Sequence, residues 1–259
     1  MAGMGKRMRP HTLTTPKPLV PVAGRSIVQH LVEDLAKMVD GKIDEIGFII
    51  GDFGKEVEES LVKIAEKVGA KGKIYYQNEA LGTAHAVFCA EELLKDNVII
   101  AFADTIFRAD FKVDHTKDGI IWVNKVDNPQ QFGVVQLDNN NVITNFVEKP
   151  STFVSDLAII GIYYIRDGAN LRSEIKYLID NDIKEKGEYQ LTNALENMKA
   201  KGLKFEAGTV LEWLDCGNKN ATVYTNKRVL EIKPETNSRG NSVIIENSVI
   251  IEPCYIGDH

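Results

Sequence analysis

Glu45-Ile46-Gly47-Phe48-Ile49-Ile50 opens a stretch that closes on Val98-Ile99-Ile100-Ala101-Phe102-Ala103-Asp104. Both ends are apolar runs of strand length, rich in β-branched residues. Between them, residues 54–68 carry helical spacing, Lys73-Ile74-Tyr75-Tyr76-Gln77 reads as a short strand, and residues 82–94 are helical again. Strand, helix, strand, helix, strand is the order of an α/β fold. It predicts a doubly wound, mixed but mostly parallel sheet, with ligands gathered at the carboxyl ends of its strands.

The pattern extends both ways. Upstream, residues 27–38 place apolar side chains at helical intervals. Downstream, residues 119–165 turn strand-rich, and Phe132-Gly133-Val134-Val135 is expected to pair with residues 142–147. Helices are predicted over 168–180, 189–201 and 218–232, with Trp213-Leu214-Asp215 before the last. A main domain over 1–233 follows from this, then a linker beginning at Pro234. The tail changes character: Ile244, Ile250 and Ile256 recur every six positions. That spacing predicts, over 234–259, a linker and the first coil of a hexapeptide parallel β-helix, with a plain hairpin as the alternative.

A chain of 259 residues with 44% hydrophobic content can bury a full core. The net charge of −6 argues against nucleic-acid binding, which needs a basic face. Cys89, Cys216 and Cys254 fit no metal spacing and are expected as reduced thiols in a cytoplasmic protein. No apolar run reaches membrane-spanning length, so no membrane partner is expected.

The cations that matter are local. Ala2-Gly3-Met4-Gly5-Lys6-Arg7-Met8-Arg9-Pro10 sets two glycines, one residue apart, beside three basic side chains. Backbone amides free to turn toward a ligand, neutralised by cations, suit a polyphosphate. No Gly-Lys-Ser/Thr closes the run, so it is not a Walker loop, and Met8 stands where a dinucleotide fingerprint needs its third glycine. Taken alone, these residues also read as a solvated surface turn. Pro16-Lys17-Pro18-Leu19 decides between the two, because prolines on both sides stiffen the backbone around one lysine.

Gly-x-Gly-x-Arg, then Pro-Lys-Pro-Leu, then Pro21-Val22-Ala23-Gly24 resembles the signature of the sugar-1-phosphate nucleotidyltransferases. The closest look is to glucose-1-phosphate thymidylyl- and uridylyltransferases with a C-terminal left-handed β-helix. The resemblance spans nearly the whole chain. It implies a Rossmann-like enzyme that transfers a nucleotidyl group from a nucleoside triphosphate, UTP or dTTP favoured, to a sugar 1-phosphate, glucose 1-phosphate favoured. Arg7, Lys17 and Lys149 would be catalytic, with Ala2, Gly3, Gly5, Gln77, Gly82 and Thr83 binding the nucleotide. Gly133, Glu148, Gly161 and Glu188 would bind the sugar phosphate, while Asp104 and Asp215 would hold Mg²⁺. A homo-oligomer is expected.

The residues support that chemistry on their own terms. A carboxylate at the end of an apolar strand, as Asp104 is, is costly unless it is solvated or binds something. Two carboxylates from distant segments, completed by phosphate oxygens and water, suit a hard cation. Gln77, five residues before Gly82, offers a side-chain amide with both donor and acceptor for a pyrimidine edge. His85 reads as a packing or capping residue and takes no role.

The chain departs from the family pattern at several points. Ala103 stands where glycine is usual, Asn218 where threonine is, and Asn193 where aspartate is. Residues 155–161 lack the Asn-Ala-Gly of many thymidylyltransferases, which leaves the sugar open. The family also places an apolar strand directly before the glycine loop, and here only Met1 precedes Ala2. The expectation is therefore a chain trimmed at both ends, less stable and less active than an extended one, with its tail packed on a second subunit. The alternatives are a GDP-mannose-type guanylyltransferase, a nucleotide-sugar-dependent glycosyltransferase, and a non-catalytic regulatory or scaffold relative.

Overall fold

The computed structural model describes residues 5–236, 238–240 and 242–258, with only the backbone of Lys6. Three short 3-10 turns, Lys6–Met8, His11–Leu13 and Lys17–Leu19, carry the basic loop. Next come β1 (Pro21–Val22), β2 (Arg25–Ser26), α1 (Ile27–Met38), β3 (Glu45–Ile50), α2 (Lys55–Lys67) and β4 (Lys71–Tyr76). They are followed by α3 (Thr83–Phe88), β5 (Val98–Ala101), β6 (Thr105–Arg108), β7 (Gly119–Lys125), β8 (Gly133–Leu137) and β9 (Ile143–Glu148). The rest are β10 (Leu157–Ile165), α4 (Gly168–Asp180), α5 (Leu191–Ala200), β11 (Phe205–Thr209), β12 (Glu212–Asp215) and α6 (Lys219–Ile232).

The mixed α/β architecture stands, but the expectation of a mostly parallel sheet needs correcting. A six-stranded sheet runs β11-β7-β10-β8-β9, with β5 also on β10. Within it only β11 and β7 are parallel, and β10 is antiparallel to β5, β7 and β8. The second parallel pair, β3 with β4, forms a separate ladder. The reason lies in β10, nine residues buried almost throughout. Such a strand accepts neighbours along its whole length, and here it gathers β5, β7 and β8 antiparallel around itself.

One glycine shapes β10. At Gly161 the backbone has φ +83°, and the pairing with β7 shifts register between Ile159 and Tyr163. An L side chain resists that conformation, and a Cβ there would also crowd the ring of Phe102. The bulge turns the Gly161 carbonyl to the Phe102 amide, 2.8 Å away. The chain leaves β5 at that point, so Asp104 falls between β5 and the small antiparallel ladder of β6 with β12.

Caps match the sequence. Ser26 caps α1, Asp167 caps α4, and Asn218 caps α6 by accepting from the Ala221 amide at 3.1 Å. Asparagine is as good an N-cap as threonine, so that departure leaves the helix start intact. Helix α5 begins two residues later than predicted. Tyr189 donates its amide to Leu81 and accepts from the amide of Ala84, which holds it extended. Helix α3 stops at Phe88, and a 3-10 turn over Glu91–Leu93 then lets Leu94 enter the core.

The predicted β-helix coil does not appear as strands. From Ser238 onward the described tail holds a single parallel bridge, between Arg239 and Ile256. The Tyr255 ring lies against Gly24, so the tail touches the β1–β2 hairpin of its own chain. Ile244, Val249 and Ile251 are more than four-fifths exposed. Among the described residues, no helix is long and apolar enough to cross a membrane.

Candidate functional site

The basic loop is held by one side chain. Met8 is 1% exposed and packs into a cluster with Val22, Ile27, Ile106, Leu214 and Cys216. The loop is therefore pinned to the ladder that carries Asp215 and begins one residue after Asp104. Thr12 donates its hydroxyl to the Gly5 carbonyl at 2.8 Å, and the Met8 amide donates to the same oxygen. Arg7, beside this anchor, is exposed. Ala2 and Gly3, also expected at the phosphates, lie outside the described residues.

Lys17 reaches into the same place. Its ammonium donates to Asp104 Oδ2 at 2.7 Å and to the Gly217 carbonyl at 3.4 Å. Only 13% of that side chain is exposed. Antiparallel pairing sets Asp215 opposite Thr105, so the two aspartates meet across one ladder although far apart in sequence. The Cys216 amide donates to the Asp104 carbonyl at 2.8 Å and locks the crossing.

Burial raises the Asp215 carboxyl above its ordinary pKa, and the nearby charge of Asp104 adds to the rise. The Gly217 amide, Lys17 and Arg7 pull the other way and do not cancel it. Behind it, burial and then the Asp215 charge push the Cys216 thiol up to about 12, so the thiol stays protonated. Two carboxylates brought together, with Asp215 destabilised by burial and by the charge of Asp104, fit a divalent cation such as Mg²⁺. Three-residue clusters that would form an all-protein metal cage are absent among the described residues. Such a cation would therefore share its coordination with substrate and water.

Gln77, Gly82 and Thr83 form a second group. Gln77 is 9% exposed, and its Nε2 lies 3.2 Å from the Gly82 carbonyl and 3.0 Å from His85 Nδ1. Gly82 has φ +111°, and a Cβ there would strike the backbone of Tyr189. The Thr83 hydroxyl accepts from the Leu191 amide at 2.9 Å and donates to Gln190 Oε1. The Gln77 nitrogen is held inward, and the oxygen takes no hydrogen bond from a described residue.

Gly133, Glu148 and Lys149 form a third group. Gly133 and Glu148 are register partners of β8 and β9. Lys149 has φ +43° and pairs with Glu148 at 3.3 Å. Lys186 donates to the carbonyls of both residues and so braces the turn. Two residues on, Glu188 accepts from Gln190 Nε2 at 3.2 Å and adjoins Gly82. The segment from Lys186 to Leu191 thus ties the second group to the third. Phe132, next to Gly133, stacks edge-on to Trp213 at 5.3 Å, two residues from Asp215, which ties the third group to the first. Gly161 reaches the same edge through Phe102.

Sequence reasoning missed four contributors. Lys186 had no motif to mark it, and His85 sat on a helix with nothing to show its partner. Trp213 Nε1 and Thr192 Oγ1 are buried without a hydrogen-bond partner among the described residues. Those two orphans lie beside Asp215 and Gly133 in the chain or in space. A cavity of about 570 Å³ opens between Pro10, Thr14 and Lys219, and none of Lys17, Asp104 and Asp215 lines it.

With that geometry in place, comparison with known proteins gives the family. The nucleotidyl transferase family model matches residues 1–232, and the chain belongs to that family. It is 33% identical over 259 residues to the bifunctional protein GlmU of Methanocaldococcus jannaschii, covering 97% of this chain and 59% of that protein. It is 35% identical over 185 residues to the mannose-1-phosphate guanylyltransferase catalytic subunit beta of Drosophila melanogaster, covering 68% of this chain and 49% of that one. The chain thus spans between about half and three fifths of the length of these relatives. Its fold is similar to that of a putative glucose-1-phosphate thymidylyltransferase from Bacillus anthracis, with a TM-score of 0.75, 24% identity, and coverage of 90% and 94% of the two chains.

Proposed function

We propose that this protein transfers the nucleotidyl group of UTP or dTTP to a sugar 1-phosphate, with glucose 1-phosphate favoured, and releases pyrophosphate. The observation that carries this reading is Lys17, Asp104 and Asp215 converging beside the Arg7 loop. A sugar phosphate oxygen forms a bond to the α-phosphorus while the bond from that phosphorus to the β-phosphate oxygen breaks. The attacking oxygen is already anionic, so no general base is needed. The barrier is repulsion between anions plus charge on the leaving pyrophosphate, and catalysis is positioning plus cations.

In this reading Arg7, Gly5 and the preceding loop hold the β- and γ-phosphates. Lys17, poised on Asp104, faces the α-phosphate, and Lys149, braced by Lys186, draws in the sugar phosphate. Glu148 and Glu188 accept from sugar hydroxyls, and Gly133 and Gly161 let the backbone approach. Mg²⁺ held by Asp104 and Asp215 would supply positive charge against the phosphate oxygens. The tail is read as one coil of a β-helix, since Arg239 and Ile256, seventeen positions apart, lie side by side and parallel.

Guanylyl transfer to mannose 1-phosphate is the second reading, supported by the similarity to the Drosophila protein. A matrix of nucleoside triphosphates against sugar 1-phosphates, followed by pyrophosphate release, separates the two. UTP or dTTP with glucose 1-phosphate is expected to turn over fastest. Faster turnover of GTP with mannose 1-phosphate would replace the first reading by the second.

A further inference from the structure

We infer that His85 is a positioning residue for base selection: it fixes the Gln77 amide so that only its oxygen faces the nucleobase. The inference rests on the reading of Gln77 as a base contact and deepens it. The argument starts from donors and acceptors. The Gly82 carbonyl can only accept, so the atom of Gln77 at 3.2 Å from it must be the amide nitrogen. That same nitrogen lies 3.0 Å from His85 Nδ1. An amide NH₂ has two protons and no lone pair to offer, so one proton goes to Gly82 and the other to His85. Nδ1 must then be the acceptor, which puts the imidazole proton on Nε2 of a neutral ring.

Both donors of Gln77 are thereby satisfied inside the protein, and Oε1 is the end left over. It belongs to a residue 9% exposed and takes no hydrogen bond from a described residue. Such an acceptor, solvated when the site is empty, can exchange water for a ligand N–H, and the exchange fails when the ligand has no proton to offer. Uracil and thymine carry such a proton at N3. Cytosine, of nearly the same shape, carries a lone pair there, which would face the amide oxygen in repulsion. Without His85, the amide has one internal partner fewer and can rotate to present its nitrogen instead. His85 therefore selects for the keto pyrimidine without touching it.

The test is equilibrium binding of UTP and CTP to the full chain, followed by kinetics on UTP, in wild type, His85→Ala and His85→Asn. Wild type should favour UTP by about ten- to a hundred-fold, as expected when a buried polar group is left unpaired by the wrong ligand. His85→Ala should bring that ratio within about three-fold, through a higher KM for UTP with kcat changed less than the KM. His85→Asn, whose side-chain oxygen can accept from Gln77, should restore most of the ratio. Thermal melts confirm that the variants fold, which is expected because His85 is only half-buried. A wild type selective for UTP with an equally selective His85→Ala variant overturns this inference alone. A wild type that binds CTP as tightly as UTP overturns both the inference and the base reading beneath it.

Discussion

Asp215 shows function and stability pulling apart at a single residue. Its carboxyl is raised above the ordinary 3.8 by burial and by Asp104. Below about pH 3.8 it is protonated in folded and unfolded chains alike and costs nothing. As pH rises through its native pKa the unfolded chain ionises first, and the folded state loses stability until both are charged. Asp215→Asn, which can keep the bond to the Gly217 amide, should therefore melt higher than wild type at neutral pH in chelator. The gap should close as pH falls below 3.8. Turnover of the same variant, and of Asp104→Asn, should drop by about a hundred-fold or more. Melts and kinetics side by side check both halves; an Asp104→Asn enzyme of near-normal activity at saturating Mg²⁺ would remove the metal assignment. At this scale Lys17 was marked by its flanking prolines and Asp104 by its place at the end of an apolar strand, whereas Asp215 was marked only by the resemblance of its segment to the family pattern. His85 and Lys186 were not marked, because their importance lies in a partner distant in sequence or across a turn, and periodicity carries no such information.

At the scale of elements, the basic loop and the α1–α6 junction each make a testable case. The loop has little regular structure of its own and depends on Met8 for its position. Met8→Ala should cost about 2–5 kcal/mol in denaturant melts and raise the KM for the triphosphate, whereas Met8→Leu should cost less than about 1.5 kcal/mol. At the junction, His30 is fully buried on α1, with Nε2 2.9 Å from the Val22 carbonyl. Lys233 lies 3.5 Å from its Nδ1 and is itself paired to Asp34, with Glu33 nearby. Burial lowers the His30 pKa below 6.5 in the folded state, ahead of the other influences. As pH falls below 6.5 the unfolded chain takes up this proton first, so stability declines, by at most about 1.4 kcal/mol per pH unit. His30→Gln should flatten that segment of the stability–pH curve; an unchanged slope would show that His30 does not titrate as placed. Helix existence was readable from spacing throughout. Helix starts were not, as α5 shows: Tyr189 fits the helical pattern, but its backbone pairs with residues 81 and 84 instead.

Over the whole molecule, the alternation of strands and helices gave the α/β class but not the strand directions. Periodicity records which faces are buried; it says nothing of which strand lies beside which, and β10 drew antiparallel neighbours that no local pattern announces. What the topology achieves is convergence. Residues from the basic loop, from the β5–β6 junction, from β12, from the β9 end and from the Lys186–Leu191 segment meet along one edge. The central claim is that this edge joins a nucleotidyl group to a sugar phosphate. Its most direct test is the fate of label from UTP or dTTP carrying ³²P at the α-position, incubated with glucose 1-phosphate and Mg²⁺. The label should appear in a nucleotide sugar, in step with unlabelled pyrophosphate and only when the sugar phosphate is present. Label recovered as free nucleotide, or left in the triphosphate, would contradict the account.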